Sequence, residues 1–192
     1  MKLYILALVF IFQFALNNVL AQKYQNTQHN AISKSYDGNT FTSENTLLEN
    51  LTEANGFSVY ASMLENHSEA LFTEDFMGTV FVISDAGFER FKEENENLDF
   101  SEVSYQKAQL QYLIVPGRLD AHSIKKAVVK GGGTARFSTL LGTTLEIKMS
   151  GDSLYLQSSD NEKAQVLATD FYHKHGFFHI VNRVVIPEIS KD

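Results

Sequence analysis

The hydrophobic period changes along this chain, and that change constrains the fold more than any other feature. In roughly the first two-thirds apolar side chains recur mostly at helical spacing; from Phe137 onward they alternate. Leu47, Leu48 and Leu51 mark a first helix, stopped by Asn55-Gly56. Phe57, Tyr60, Met63 and Leu64 mark a second, continuing through Ala70, Leu71 and Phe72. The apolar run from Gly78 to Ile83 reads as a buried strand of β-branched and aromatic residues. Ser84-Asp85 ends it, and the Ser84 hydroxyl is placed to cap a helix carrying Phe88 and Phe91. A further helix covers about Val103–Leu110 and leads into Tyr112-Leu113-Ile114-Val115, which Pro116-Gly117 stops. Asp120 is placed to cap Ala121–Lys130, whose stripe is Ile124, Ala127 and Val128 and whose end is Gly131-Gly132-Gly133.

The later sequence has period two. Leu145, Ile147 and Met149 alternate with Thr144, Glu146 and Lys148, Ser150-Gly151-Asp152-Ser153 turns the chain, and Leu154 and Leu156 continue the pattern. Val166 and Ala168 suggest another strand, and Phe177 to Ile186 a long last one closed by Pro187. Helices first and strands later, without a repeated βαβ unit, is α+β order.

Composition removes whole classes of chemistry. The 192 residues include no cysteine, so disulfides, thiol nucleophiles, Cys-ligated zinc and lipid-modified cysteine are excluded. With 44% apolar and 20% charged residues the chain is globular in type. Sixteen basic against 23 acidic side chains give a net charge of −7, and this balance, with no basic cluster, argues against nucleic acid as a partner.

The N-terminus reads as an address. Lys2 precedes a run from Leu3 to Leu16 that is apolar apart from Gln13, and Val19-Leu20-Ala21 precedes Gln22, the pattern of a secretory signal peptide over residues 1–21. Fourteen helical residues reach only roughly 21 Å, short of a ~30 Å hydrocarbon core, so no transmembrane span is expected after cleavage. Residues 22–42 are polar and aperiodic and read as a disordered spacer. The expected organisation is then a domain over 43–188 and a tail over 189–192. The expected location is secreted, periplasmic or cell-surface associated.

Three separated blocks resemble the fasciclin (FAS1) domain family, over roughly Ser43 to Pro187. Thr79-Val80-Phe81-Val82-Ile83-Ser84-Asp85-Ala86-Gly87-Phe88 is similar to its first block, Thr-Val-Phe-Ala-Pro-Thr-x-x-Ala-Phe. Leu110 to Gly117 is similar to Leu-x-Tyr-His-Ile-Val-Pro-Gly, and His175 to Pro187 to the terminal Asn-Gly-x-Ile-His-x-Ile-Asp-x-Val-Leu-x-Pro. The resemblance implies a wedge of two β-sheets flanked by N-terminal helices. It also implies a domain used outside the cell for adhesion, through contact with polysaccharide or with surface or matrix protein. Its structural motif positions fall here on Thr79, Phe81, Ser84, Phe88, Pro116, Gly176, His179 and Pro187. Its binding motif falls on Tyr112, Leu113 and Ile114, but Leu113 replaces the histidine of the Tyr-His pair associated with integrin recognition in animal members, which counts against that activity. Read from the residues alone, Tyr112 fits a core tyrosine with a bonded hydroxyl, and His179 a satisfied interior histidine.

The remaining chemistry is sparse. His173 and His175 share one face of an extended segment and are the candidates for zinc or copper, but His179 lies roughly 13 Å further along a regular strand. No metal site and no cofactor are therefore expected. No Gly-x-Ser-x-Gly frame surrounds Ser84 and no His-Glu-x-x-His occurs, so no enzyme activity is expected. The expectation is an exported adhesion domain that binds a macromolecule. The alternative is a carrier holding an apolar lipid or pigment in a cleft.

Overall fold

The computed structural model describes residues 31–73, 75–95, 102–157 and 162–187. The signal peptide expected at 1–21, residues 22–30 and the tail at 189–192 lie outside them. Nine strands and six helices are described: β1 Ser33–Tyr36, β2 Asn39–Thr42, α1 Leu47–Thr52, α2 Ser58–Glu65, α3 Ser68–Leu71, β3 Gly78–Ile83, α4 Asp85–Glu94, α5 Val103–Tyr112, β4 Ile114–Pro116, α6 Ala121–Lys130, β5 Thr134–Ser138, β6 Thr144–Ser150, β7 Ser153–Gln157, β8 Lys163–His173 and β9 Gly176–Val181. The α+β order read from the sequence is the observed one.

Seven strands join in the order β4-β3-β9-β8-β7-β6-β5, all antiparallel except β3 with β9. The expected wedge arises because one strand serves two leaves. The first part of β8 pairs with β7 through Lys163–Gln165, and the rest pairs with β9 from Val166 to His173. Register shifts between Val166 and Ala168 and between Ala168 and Phe171 bend the strand, as extra residues in one strand do. At the second shift Asp170 takes φ +59°, a left-handed conformation that Asp tolerates better than most residues. The outer edges then meet, Leu140 N–H donating to Ile114 O at 2.9 Å and Leu141 N–H to Gln111 O at 3.2 Å.

Strand β3 is buried at all six positions, which suits its near-continuous apolar sequence and its place between β4 and β9. Gly78 stands opposite Gly176, whose φ is +137°, and a Cβ on Gly176 would overlap the Gly78 carbonyl oxygen. Only glycine fits there.

The elements depart from the sequence pattern in three places. Residues 33–42, expected within a disordered spacer, form the β1–β2 hairpin, turned by Asp37-Gly38 with both φ positive. One aromatic side chain fastens it. Phe41 is fully buried and meets the rings of Phe57, Phe171 and Phe178 edge-on at 6.0, 5.2 and 5.1 Å. Paired amide bonds add to the hold: Asn39 Nδ2 donates to Asn55 O at 3.0 Å while its Oδ1 accepts Asn55 N–H at 2.9 Å, and Asn50 of α1 does the same with Thr42.

The second departure concerns the last strand, which stops at Val181 instead of running to Ile186. Asn182 Oδ1 accepts Gln165 N–H at 2.8 Å, and Arg183 turns out to pair with Glu94 and Glu162. Val184 and Val185 stay buried, the latter's carbonyl accepting from Gln109 Nε2 at 2.9 Å. Third, the helix expected from Phe57 through Phe72 is two, α2 and α3, separated at Asn66-His67.

Candidate functional site

Two of the motif residues, Thr79 and His179, converge on the loop that enters α6. Thr79, at the start of β3 and fully buried, donates its hydroxyl to Gly117 O at 2.8 Å and accepts Leu119 N–H at 2.8 Å. His179, on β9 and fully buried, accepts Asp170 N–H on Nδ1 at 3.1 Å, so its Nε2 carries the proton and donates to Leu119 O at 2.8 Å. Asp170 Oδ1 accepts Ala121 N–H at 2.7 Å, and its Oδ2 accepts the Thr169 hydroxyl at 3.1 Å. Three neighbouring strands thus hold one loop, from Gly117 to the first turn of α6. Asp120 completes the hold by accepting Ser123 N–H at 2.7 Å as the helix cap, and the Ser123 hydroxyl first and then this amide keep its carboxyl below the usual range.

This clamp is electrically quiet. Burial holds the His179 imidazole below its ordinary value, with the bond to Leu119 and the charge of Asp170 opposing. Both ring nitrogens are engaged, so the ring is neither an available base nor a ligand. Phe81 packs beside it, ring centroids 5.4 Å apart.

The implied binding residues lie elsewhere than a binding surface requires. Tyr112, Leu113 and Ile114 are 2%, 0% and 0% exposed, at the end of α5 and the start of β4. Their side chains belong to the core. Pro116 is exposed at the end of β4, Phe88 is buried on α4, and Pro187 is buried after β9.

Ser84 occupies the cap position of α4, yet its hydroxyl makes no capping bond, contrary to the sequence reading. The capping side chain is its neighbour, and it serves a different helix. Asp85 accepts Ser58 N–H and Val59 N–H at 3.0 and 2.9 Å and the Ser58 hydroxyl at 2.8 Å, closing the N-terminus of α2, whose own preceding residue Phe57 has no capping side chain.

His173 and His175 flank the β8–β9 turn, ring centroids 6.2 Å apart. His173 is 2% exposed, its Nδ1 accepts His175 N–H at 3.3 Å, and its Nε2 is sealed without a partner. Burial, and then the neighbouring His175, push its pKa down to about 3. His175 stacks on Phe72 at 6.0 Å and is also lowered by burial. Among the described residues no group of three or more His, Asp or Glu side chains is placed to share a metal ion.

Sequence reasoning missed two residues of this site. One is Asp170, whose signal is an acidic residue inside an apolar-alternating strand. Asp85 was read as part of a local stop, and nothing local marks a cap for another helix.

Fold and site together define an α+β domain in which Thr79 and His179 tie the loop before α6 to the sheet. The chain belongs to the fasciclin-domain family, whose model matches residues 55–187. Among solved structures it is similar to a FAS1 domain pair from the insect cell adhesion molecule fasciclin I. That likeness has a TM-score of 0.62 and 11% sequence identity, and covers 83% of this chain and 67% of that one. A search of curated protein sequences finds none that matches.

Proposed function

We propose that this chain is an exported, non-enzymatic adhesion domain that binds a macromolecule, polysaccharide or protein, at the cell surface or in the matrix. One observation carries the reading most. The polar groups of the clamp, Thr79, His179 and Asp170, are spent on fixing the surface loop Gly117–Asp120 and helix α6, not on a substrate pocket. A fixed surface is what recognition without turnover requires, because little order then has to be gained on binding. Family membership supports the adhesion role, and the signal-peptide pattern supports export. The carrier alternative gains less: among the described residues two apolar clefts beside α1, one lined by Leu48, Leu51, Ala54 and Ala61 and one by Leu47, Leu64 and Phe72, have volumes of only about 280 and about 180 Å³.

Retention of purified residues 22–192 on immobilised polysaccharides, matrix proteins and whole cells is the expected result; retention on none of them refutes the proposal. N-terminal sequencing of the secreted protein should begin at Gln22.

A further inference from the structure

The net charge of −7 conceals a reversal along the chain. Residues 118–148 hold six of the sixteen basic side chains, Arg118, Lys125, Lys126, Lys130, Arg136 and Lys148, and only two of the 23 acidic ones, Asp120 and Glu146. Whole-chain composition averages this away, and the lysines become one cluster only when wound on α6.

The helix is oriented by its apolar stripe. Ile124 and Val128 are buried at 1% each, which turns His122, Lys126, Val129 and Lys130 to solvent, with Lys125 half-buried beside them. His122, Lys126 and Lys130 follow at four-residue steps of about 6 Å along the axis. No carboxylate among the described residues pairs with Lys125, Lys126 or Lys130. At the helix end a cleft of about 350 Å³, lined by Lys130, Gly131, Thr134 and Arg136, carries the face onto β5. There Arg136 Nε meets Glu146 at 2.8 Å, and Lys148 reaches the same carboxylate at 3.8 Å, so this end of the patch keeps a cationic excess. Three unpaired ammonium groups stand on a helix whose first turn is clamped to three strands.

We propose that this face of α6 binds an acidic polysaccharide bearing a carboxylate on each sugar; the proposal rests on the adhesion reading above and names its ligand class. Ammonium groups one helical turn apart suit anionic charges separated by a sugar ring. Duplex nucleic acid carries a charge per about 1.7 Å and needs a denser set of cations, against the repulsion of an otherwise acidic protein. Neither α6 nor the cleft presents Phe or Tyr on which unpaired bases would stack. An anionic membrane surface would want an apolar row beside the lysines, whereas Val129 stands alone among them.

The test measures binding of the full chain to polygalacturonate, to its methyl ester, to duplex DNA and to phosphatidylserine vesicles. Polygalacturonate is expected to bind and its uncharged ester not. Affinity is expected to fall at least about tenfold between about 50 and about 500 mM NaCl, as exposed charge pairs are screened. The triple variant Lys125→Ser, Lys126→Ser, Lys130→Ser should lose at least about tenfold in affinity. Its far-ultraviolet dichroism should match the parent's, since the replaced ammonium groups make no bonds within the fold. Equal binding of the ester, unchanged affinity in a folded triple variant, or preference for DNA or vesicles overturns the proposal. A parent protein that adheres to cells yet ignores polygalacturonate overturns the α6 assignment and leaves the adhesion reading standing. One that binds nothing in either assay overturns both.

Discussion

Acid should destabilise this domain, and His173 provides a way to measure by how much. The native imidazole titrates at about 3, because it is buried among Phe72, Phe178 and His175, while an unfolded His titrates near 6.5. Between those values the unfolded chain binds a proton that the native chain does not. Stability from this group is therefore complete above about pH 6.5 and is lost as pH falls towards 3. The linkage integral gives a loss of about 2 kcal/mol on going from pH 7.5 to pH 5. His179 and His175 are lowered too and add loss of the same sign, so the total alone does not isolate His173. Replacing His173 with Phe removes the titrating ring from an aromatic surround. Urea unfolding of both proteins at the two pH values should show the parent losing about 2 kcal/mol more than the variant. If the two lose equal stability, the buried, neutral His173 on which this reasoning depends is refuted.

Other perturbations follow from single contacts. Asp85→Ala should cost about 1–2 kcal/mol by uncapping α2, whereas Ser84→Ala should change stability by less than about 0.5 kcal/mol; urea midpoints of the two variants separate these roles. Thr79→Val leaves Leu119 N–H without its acceptor and should cost about 1–3 kcal/mol, with faster amide exchange at Leu119 and through the first turn of α6. Phe41→Ala should cost about 3–5 kcal/mol by thermal or urea unfolding if the hairpin is part of the core, and almost nothing if it is a tether. Gly176→Ala should cost more than about 3 kcal/mol in urea or prevent folding, because the Gly78 carbonyl occupies the space of the added methyl group.

Where local pattern and tertiary need coincide, the fold was legible in advance. Helix α6 runs from Ala121 to Lys130 as its cap, stripe and glycines require, and β3 runs from Gly78 to Ile83 as its apolar run requires. Leu145 to Leu156 form the expected antiparallel hairpin. Misreadings arose where a distant partner decides the outcome. The β1–β2 hairpin has too few apolar positions to show a period, and its stability depends on one ring and on amide pairs across 16 and 8 positions of sequence. The end of β9 is set by Asn182 and Arg183 bonding to β8 and α4, invisible beside the continuing apolar Val184 and Val185. Within the site, His179 and Thr79 could be singled out from sequence, but that both hold the same carbonyl-and-amide pair of Leu119 required the fold.

The pairing of β3 with β9 sets a schedule as well as a shape. Gly78 and Gly176, nearly a hundred residues apart, lie side by side inside the sheet, so β3 has only the short edge strand β4 for company until the final block arrives. Contacts of such long sequence separation form slowly, since the intervening loop must close before they return any stability. A chain shortened ahead of Gly176 would lack an inner strand of its sheet rather than a margin.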